Sequence, residues 1–418
     1  MSDELASANA QRGSILLDQG RYPEAESYFR EALSQDPNDP ETLARLALCE
    51  LNQRRAPAAM ETIRRAIGFA PDAAHLHALK AFIEVELGKP AEALKSAGAA
   101  LELDPECDDA FVAQAAAYIH RREWAKAETA ARAALDINPD HGGAANQLAH
   151  ALRLQNRLHE SGDQIAYMLA QDPEDADTHV AAGWTALQRG QREVAEKHFL
   201  EALRLEAGNE GAREGLKEAF RAKSPIYRAY LNYCFFMQRF TEGKQWLVII
   251  GLLVVVKFAN AVLGPYGWIV SGLYMLFVLW VHVARPVGNF QLVFDRAARH
   301  ALGRGETLEA WVCGGGVIAG ILLCLTGILS GLAAPLVIGA TLVAAAFPFA
   351  YTFTNRSNGK WLFGAVGAFV VAVGFASAGS LLVGQKPPEV VTGLVGVALL
   401  AVIACTWLCN VGALNSRR

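Results

Sequence analysis

Pro37, Pro71, Pro105, Pro139 and Pro173 stand 34 residues apart, and a fixed period of that length dictates what the first half of this chain can fold into. Four of them sit in related settings: QDPND, LDPEC, INPDH and QDPED. Aligned on these prolines, small residues recur at Gly13, Ala47, Ala81, Ala115, Ala149 and Gly183, and again at Ala25, Ala59, Ala93, Ala127, Ser161 and Ala195. A third small position holds Ala32, Ala66, Ala100, Ala134 and Ala202, with Met168 as the exception. Small side chains let two antiparallel helices approach closely. Proline cannot continue a helix and restricts the residue before it, so it ends the second helix and opens the next connection. Each period therefore predicts one helix pair. Six are counted, over residues 6–39, 40–73, 74–107, 108–141, 142–175 and 176–209, the last with Ala207 where proline is expected. The more polar EGAREGLKEAFRA follows, and over 210–222 it is expected to cap the stack.

Charge divides the chain at the same place. Residues 1–223 hold 25 Lys/Arg and 37 Asp/Glu, a balance of −12, whereas residues 224–418 hold 13 and 5, a balance of +8. The acidic half is a poor nucleic-acid binder on electrostatic grounds. MSDELASANA has neither a basic segment nor an apolar one, so no secretory signal is expected there. None of the seven cysteines falls in a CxxC pattern. They read as reduced thiols acting as small hydrophobes, with no metal or cofactor expected.

The proline period and a stretch such as GRYPEAESYFREALSQDPND resemble the tetratricopeptide repeat. The resemblance implies an all-α solenoid whose first helices line a concave groove through the fifth, ninth and twelfth positions of each repeat. Those positions include Leu48, Leu51, Phe82, Val85, Ile119, Asn146, His150, Arg153, Trp184 and Leu187. Relatives that clamp an acidic peptide terminus place Lys, Arg and Asn there, and only the fifth repeat here has anything similar. A mostly apolar groove points to an amphipathic or apolar helical segment as the protein partner. The competing reading is that these residues pack together inside a tightly wound superhelix.

From Trp246 onward, apolar runs recur at lengths that can cross hydrocarbon about 30 Å thick. Six spans are expected, over 246–263, 266–284, 310–330, 335–353, 361–383 and 390–411, forming a transmembrane domain over residues 246–413. Arg228, Arg239 and Lys244 precede the first span, and Arg285, Arg296, Arg299 and Arg304 follow the second. Arg356 and Lys360 follow the fourth, and Arg417 and Arg418 end the chain, while the opposite turns carry only Lys386. That asymmetry predicts a multi-pass protein with both termini cytoplasmic. Between the halves, residues 223–245 crowd Tyr227, Tyr230, Tyr233, Phe235, Phe236 and Phe240 around Arg228 and Arg239. They are read as a helix lying in the headgroup region, entered through Ser224 and Pro225. The words AFRAKSPIYR and FDRAARHAL also resemble a bacterial family that joins a tetratricopeptide array to a polytopic membrane domain. That resemblance implies the bacterial inner membrane and brings no functional residues with it.

Chemistry within the spans has few carriers. After Glu309 the only acid is Glu389, and no histidine follows His300. The third to sixth spans thus offer no acid–base pair and no metal cluster, and no enzyme is expected. Lys257 and Asn260 in the first span are the polar candidates for a transport role, or Lys257 snorkels to the headgroups. Spacings Gly316–Gly320 and Gly327–Gly331 allow close helix contact. FQLVFDRAARHALGRGET, within an expected amphipathic helix over 288–304, gathers Asp295, Arg296, Arg299, His300, Arg304 and Glu306. It reads as a membrane-surface helix whose arginines meet anionic headgroups, with Asp295 pairing Arg299. The expected function is a membrane-anchored scaffold that recruits a protein partner through the groove and contacts another membrane protein or a second copy. The alternatives are a transporter or channel subunit regulated by the repeats, and a membrane-embedded enzyme.

Overall fold

The computed structural model describes residues 2–408 apart from 241, 296, 297, 299, 300 and 356. The chain forms two compact units. One holds Met1–Gln191, Glu201–Asn209 and Phe235–Trp246, and the other Arg192–Leu200, Glu210–Cys234 and Leu247–Arg418.

The helices of the first unit are α1 (Ser2–Asp18), α2 (Tyr22–Gln35), α3 (Pro40–Asn52), α4 (Ala56–Phe69), α5 (Ala74–Glu86), α6 (Pro90–Leu103), α7 (Asp108–His120), α8 (Trp124–Ile137), α9 (Gly142–Leu154), α10 (Leu158–Gln171) and α11 (Ala176–Gln188). All five periodic prolines lie in the turns after the even-numbered helices. The recurrent alanines are the contact surface: Ala25, Ala59, Ala93 and Ala127 are fully buried, and Ser161 takes the same place with no exposure. Buried carboxylates pin successive helices through hydroxyls, Thr62 Oγ1 donating to Glu50 at 2.7 Å and Ser96 Oγ to Glu84 at 2.6 Å. Asp39 and Asp175 accept backbone N–H groups at the starts of α3 and α11, satisfying donors that a helix leaves open. A second 34-residue series is visible only in the backbone. Gly20, Arg54, Gly88, Arg122, Asn156 and Gly190 all have φ between 58° and 78°. At each one the chain leaves the first helix of a pair through a left-handed turn.

α12 (Arg192–Leu205) is shared between the units. In the second unit, α13 (Glu210–Arg221) and the first part of α14 (Pro225–Gln238) precede the apolar helices. These are α15 (Glu242–Leu263), α16 (Gly267–Phe294), the short α17 (Arg304–Glu309), a π-helical turn over Ala310–Gly315, α18 (Gly316–Ser330), α19 (Ala333–Ala350), α20 (Gly359–Leu382) and α21 (Glu389–Leu408). Among the described residues, four helical stretches are long and apolar enough to cross a membrane: Gly267–Phe294, Arg304–Ser330, Ala333–Ala350 and Gly359–Leu382. The expected first and sixth spans fall on α15 and α21, whose described apolar stretches run over Leu247–Leu263 and Glu389–Cys405. Close contact falls where glycine allows it. A methyl on Gly339 would lie 2.5 Å from Gly320 O, and one on Gly327 would lie 2.7 Å from Leu336 N, so α18 and α19 form a tight hairpin. Of the two spaced pairs, only Gly320 and Gly327 make this contact, whereas Gly316 and Gly331 have nothing within 4 Å.

The expected surface helix over 288–304 is not one helix. Residues 288–294 are the last turns of α16, the backbone becomes extended at Asp295, and α17 starts anew at Arg304. Asp295 draws the Ala298 N–H to its side chain, and Glu306 Oε2 accepts the Gly303 N–H at 2.9 Å. Both bonds favour a turn over continued helix. Phe290 and Phe294 stack edge-on against Trp311 at 5.4 and 5.8 Å. Arg296, Arg299 and His300 lie outside the described residues, and Asp295 pairs with Lys223 at 2.6 Å.

Candidate functional site: the repeat groove and a buried ionic cluster

The first helices of the repeats carry the groove positions, and packing consumes part of them. Val85 and Leu187 are buried, at 4% and 3% exposure. Leu51 packs into the core of the second repeat, and Phe82 lies against Ala81, Ala97 and Ala113 as well as Val112 and Ala144. Leu48, Phe82, Ile119 and Trp184 keep a half-buried surface, and Asn146 and His150 do so too. The strip is therefore neither fully exposed nor fully sealed.

Its polar centre has an unusual charge balance. Arg153, on α9, is 9% exposed, and among the described residues its guanidinium donates to Gln188 Oε1 at 3.3 Å and meets no carboxylate. Buried arginines are ordinarily paired with acids. Burial alone pulls its pKa down to about 10. His150, one turn earlier on α9, is pushed down to about 3, first by dense packing and then by Arg153 and His120. Asn146 Nδ2 reaches Asp175 at a long 3.5 Å.

A second constellation, in the other unit, escaped the reading of α13 as a more polar helix that caps the stack. Arg221 has no exposed surface. Its Nη1 donates to Glu218 at 2.7 Å and its Nε to Asn289 Oδ1 on α16 at 2.9 Å. Lys217 bridges Glu214 at 2.6 Å and Glu306 of α17 at 2.7 Å, and Arg285 of α16 reaches Glu214 at 2.5 Å. Tyr227 of α14 donates to Glu218 Oε2 at 2.7 Å, and Asn289 reaches Glu309 at 3.4 Å. Burial by itself would raise the Glu214 pKa, yet Arg285, Arg221 and Lys217 bring it down to about 2. Burial and then Glu218 push the Tyr227 phenol well above its ordinary range. The signal in the sequence was the one-turn spacing of Glu214, Lys217, Glu218 and Arg221. It recurs in Arg285 with Asn289 and in Glu306 with Glu309, beside apolar runs. Around the same cluster, the first part of α14 turns its aromatic face inward. Tyr227 and Leu231 are buried, and Tyr230 and Tyr233 meet Trp280 and Phe277 edge-on.

The remaining candidates separate. Lys257 is exposed on α15, while Asn260 donates to Ser271 Oγ at 2.8 Å and ties α15 to α16. Arg304 heads α17. Asp108, Asp109 and His141 bring three donor atoms within 4.8 Å of one another, at the starts of α7 and α9. There Asp109 and His141 already bond each other, and His141 accepts the Ala144 N–H.

Family models described as tetratricopeptide repeats match residues 16–83 and 80–142. Similar solved structures include a thermophilic TPR protein of Thermus thermophilus, 25% identical with a TM-score of 0.41, over 44% of this chain and 99% of that one. The pilF protein of Pseudomonas aeruginosa is 21% identical with a TM-score of 0.38, over 53% and 99%. YrrB, described as a TPR protein with an unusual peptide-binding site, is 21% identical with a TM-score of 0.30, over 45% and 97%. No curated protein matches the chain.

Proposed function

We propose that this chain, a tetratricopeptide-repeat protein, is a membrane-anchored scaffold that captures a protein segment in its repeat groove. The observation that carries the reading is Arg153, a buried cation without a carboxylate among the described residues, set in a strip of half-buried Leu48, Phe82, Ile119 and Trp184. A partner helix with an apolar face and one acidic side chain satisfies both halves of that surface: the face covers the strip and the acid pairs with the guanidinium. The apolar helices of the second unit serve as the anchor, with six crossings and both termini on the cytoplasmic side of a bacterial inner membrane. The lysine and arginine asymmetry supports this orientation. Exposed Lys257 then snorkels toward headgroups, and Arg304 stays at the cytoplasmic surface. The scaffold performs no reaction of its own, and membrane lipid, another membrane protein or a second copy surrounds the anchor.

A photoreactive amino acid in place of Ile119, in the full-length protein in native membranes, tests the reading. The expected crosslinked segment has apolar residues at helical spacing and an acid near the crosslink. Arg153→Met should lower its yield at least about tenfold, and Phe82→Glu or Trp184→Glu should abolish it. Equal yields from all three variants would show that the groove is not where partners dock.

A further inference from the structure

α19, α20 and α21 enclose a crevice of about 480 Å³. Its closed wall is Val370, Val373 and Ala398, each 6% exposed, and Val395 and Leu399 form an open edge at 44% and 57%. On the closed side α19 and α20 touch, because a methyl on Gly374 would collide with Thr341 Oγ1. α21 closes against both through Ala398, packed with Ala345 and Val370, while its Gly393 and Gly396 face open space. Three hydroxyls line the space, and each donates to a carbonyl four residues earlier: Thr341 to Val337 O at 2.7 Å, Ser377 to Val373 O at 3.0 Å and Thr392 to Pro388 O at 3.3 Å.

This chemistry selects the guest. A buried water needs two to four polar partners, and these hydroxyl protons are already committed. A polar small molecule would find only three hydroxyl oxygens, all as acceptors, amid an otherwise apolar lining. A helix about 10 Å across is too wide for the space. Apolar cavities of only ~150 Å³ bind small hydrocarbons, and an unfilled void loses dispersion contacts along its whole lining. We infer that the crevice between α19, α20 and α21 is a binding site for one hydrocarbon chain of a membrane lipid, entering past Val395 and Leu399. The inference rests on the reading that these helices lie in a bilayer, where such chains surround the open edge.

The test reconstitutes the full chain in phosphatidylethanolamine–phosphatidylglycerol vesicles containing a trace of phospholipid with a diazirine at the acyl terminus. A parallel sample carries a diazirine-bearing polyprenyl phosphate. After photolysis, labelled residues are mapped by mass spectrometry. The crevice walls should be labelled several-fold above Val255 and Phe258 on the exposed face of α15, and the probe that labels them more strongly identifies acyl or isoprenoid chains. Ala398→Trp should reduce crevice labelling about tenfold and leave the α15 labelling unchanged. The wild-type enrichment stands even if that variant fails to fold. Labelling of α15 without enrichment in the crevice, or crevice labelling that a folded Ala398→Trp protein retains, overturns the site. Absence of label from both places overturns the membrane reading itself.

Discussion

The repeat unit and the apolar unit bury polar groups in opposite ways. In the first, each polar contact is small, local and repeated. Glu50 with Thr62 and Glu84 with Ser96 are the same bond one period apart, set among recurrent buried alanines and core residues such as Leu43, Ile63 and Leu76. In the second, one cluster around Arg221 gathers ionisable side chains from α13, α14, α16 and α17 at a single place. Distributed contacts make stability a sum of similar neighbour terms, so no single one is decisive. A buried ionic cluster behaves differently, because removing one member leaves opposite charges without compensation.

The largest effect should come from that cluster. Arg221→Met should destabilise the second unit by about 3–5 kcal/mol. In hydrogen exchange on the purified full-length protein, amides of α13 and α17 should lose protection while those of α5 to α8 keep theirs. A uniform change, or none, would mean that the cluster does not concentrate stability as described.

The groove gives the repeat unit its own exception. His150 is held neutral with its pKa lowered from 6.5 to about 3, so the unfolded chain takes up a proton that the folded chain refuses. Stability from this group is complete above pH 6.5 and should fall as pH drops toward 3. Thermal unfolding across that window should show the slope in the wild type and a smaller one in His150→Leu. A bound acid on Arg153 should shift the loss to lower pH by stabilising the folded repeat unit. Identical slopes in wild type and variant would remove His150 from the account.

The smallest effect belongs to the repeated turn. Arg122 holds φ at 58° where Gly20, Gly88 and Gly190 occupy the matching turns. Arg122→Gly relieves the strain of a side chain in the left-handed region while adding freedom to the unfolded chain. The net gain should be about 0.5–1 kcal/mol, read as a raised melting temperature of the repeat unit. A loss of that size would mean that the arginine side chain contributes more than its backbone costs.

The periodic prolines and alanines made the repeats legible, because a helix pair that recurs every 34 residues needs the same small contact each time. The apolar runs were legible for a similar reason, and among the described residues four of the helical stretches they form are long and apolar enough to cross a membrane. Site residues were harder. Phe82 and Val85 occupy equivalent kinds of position, and only packing decides that the first keeps a partly open face while the second is buried. The stretch 288–304 misled because its helical spacing is real, but side-chain bonds at Asp295 and Glu306 compete with the helix that the spacing predicts.

By itself, then, the sequence determined which segments are helices, which are apolar along their length, and where one half gives way to the other, since these follow from near-neighbour spacing and composition. Only the tertiary structure decided which charges are buried together. Glu306 lies 89 residues from Lys217 and Asn289 lies 68 from Arg221. No local period records such a distance, because the desolvation that makes each pairing necessary exists only once the helices have packed.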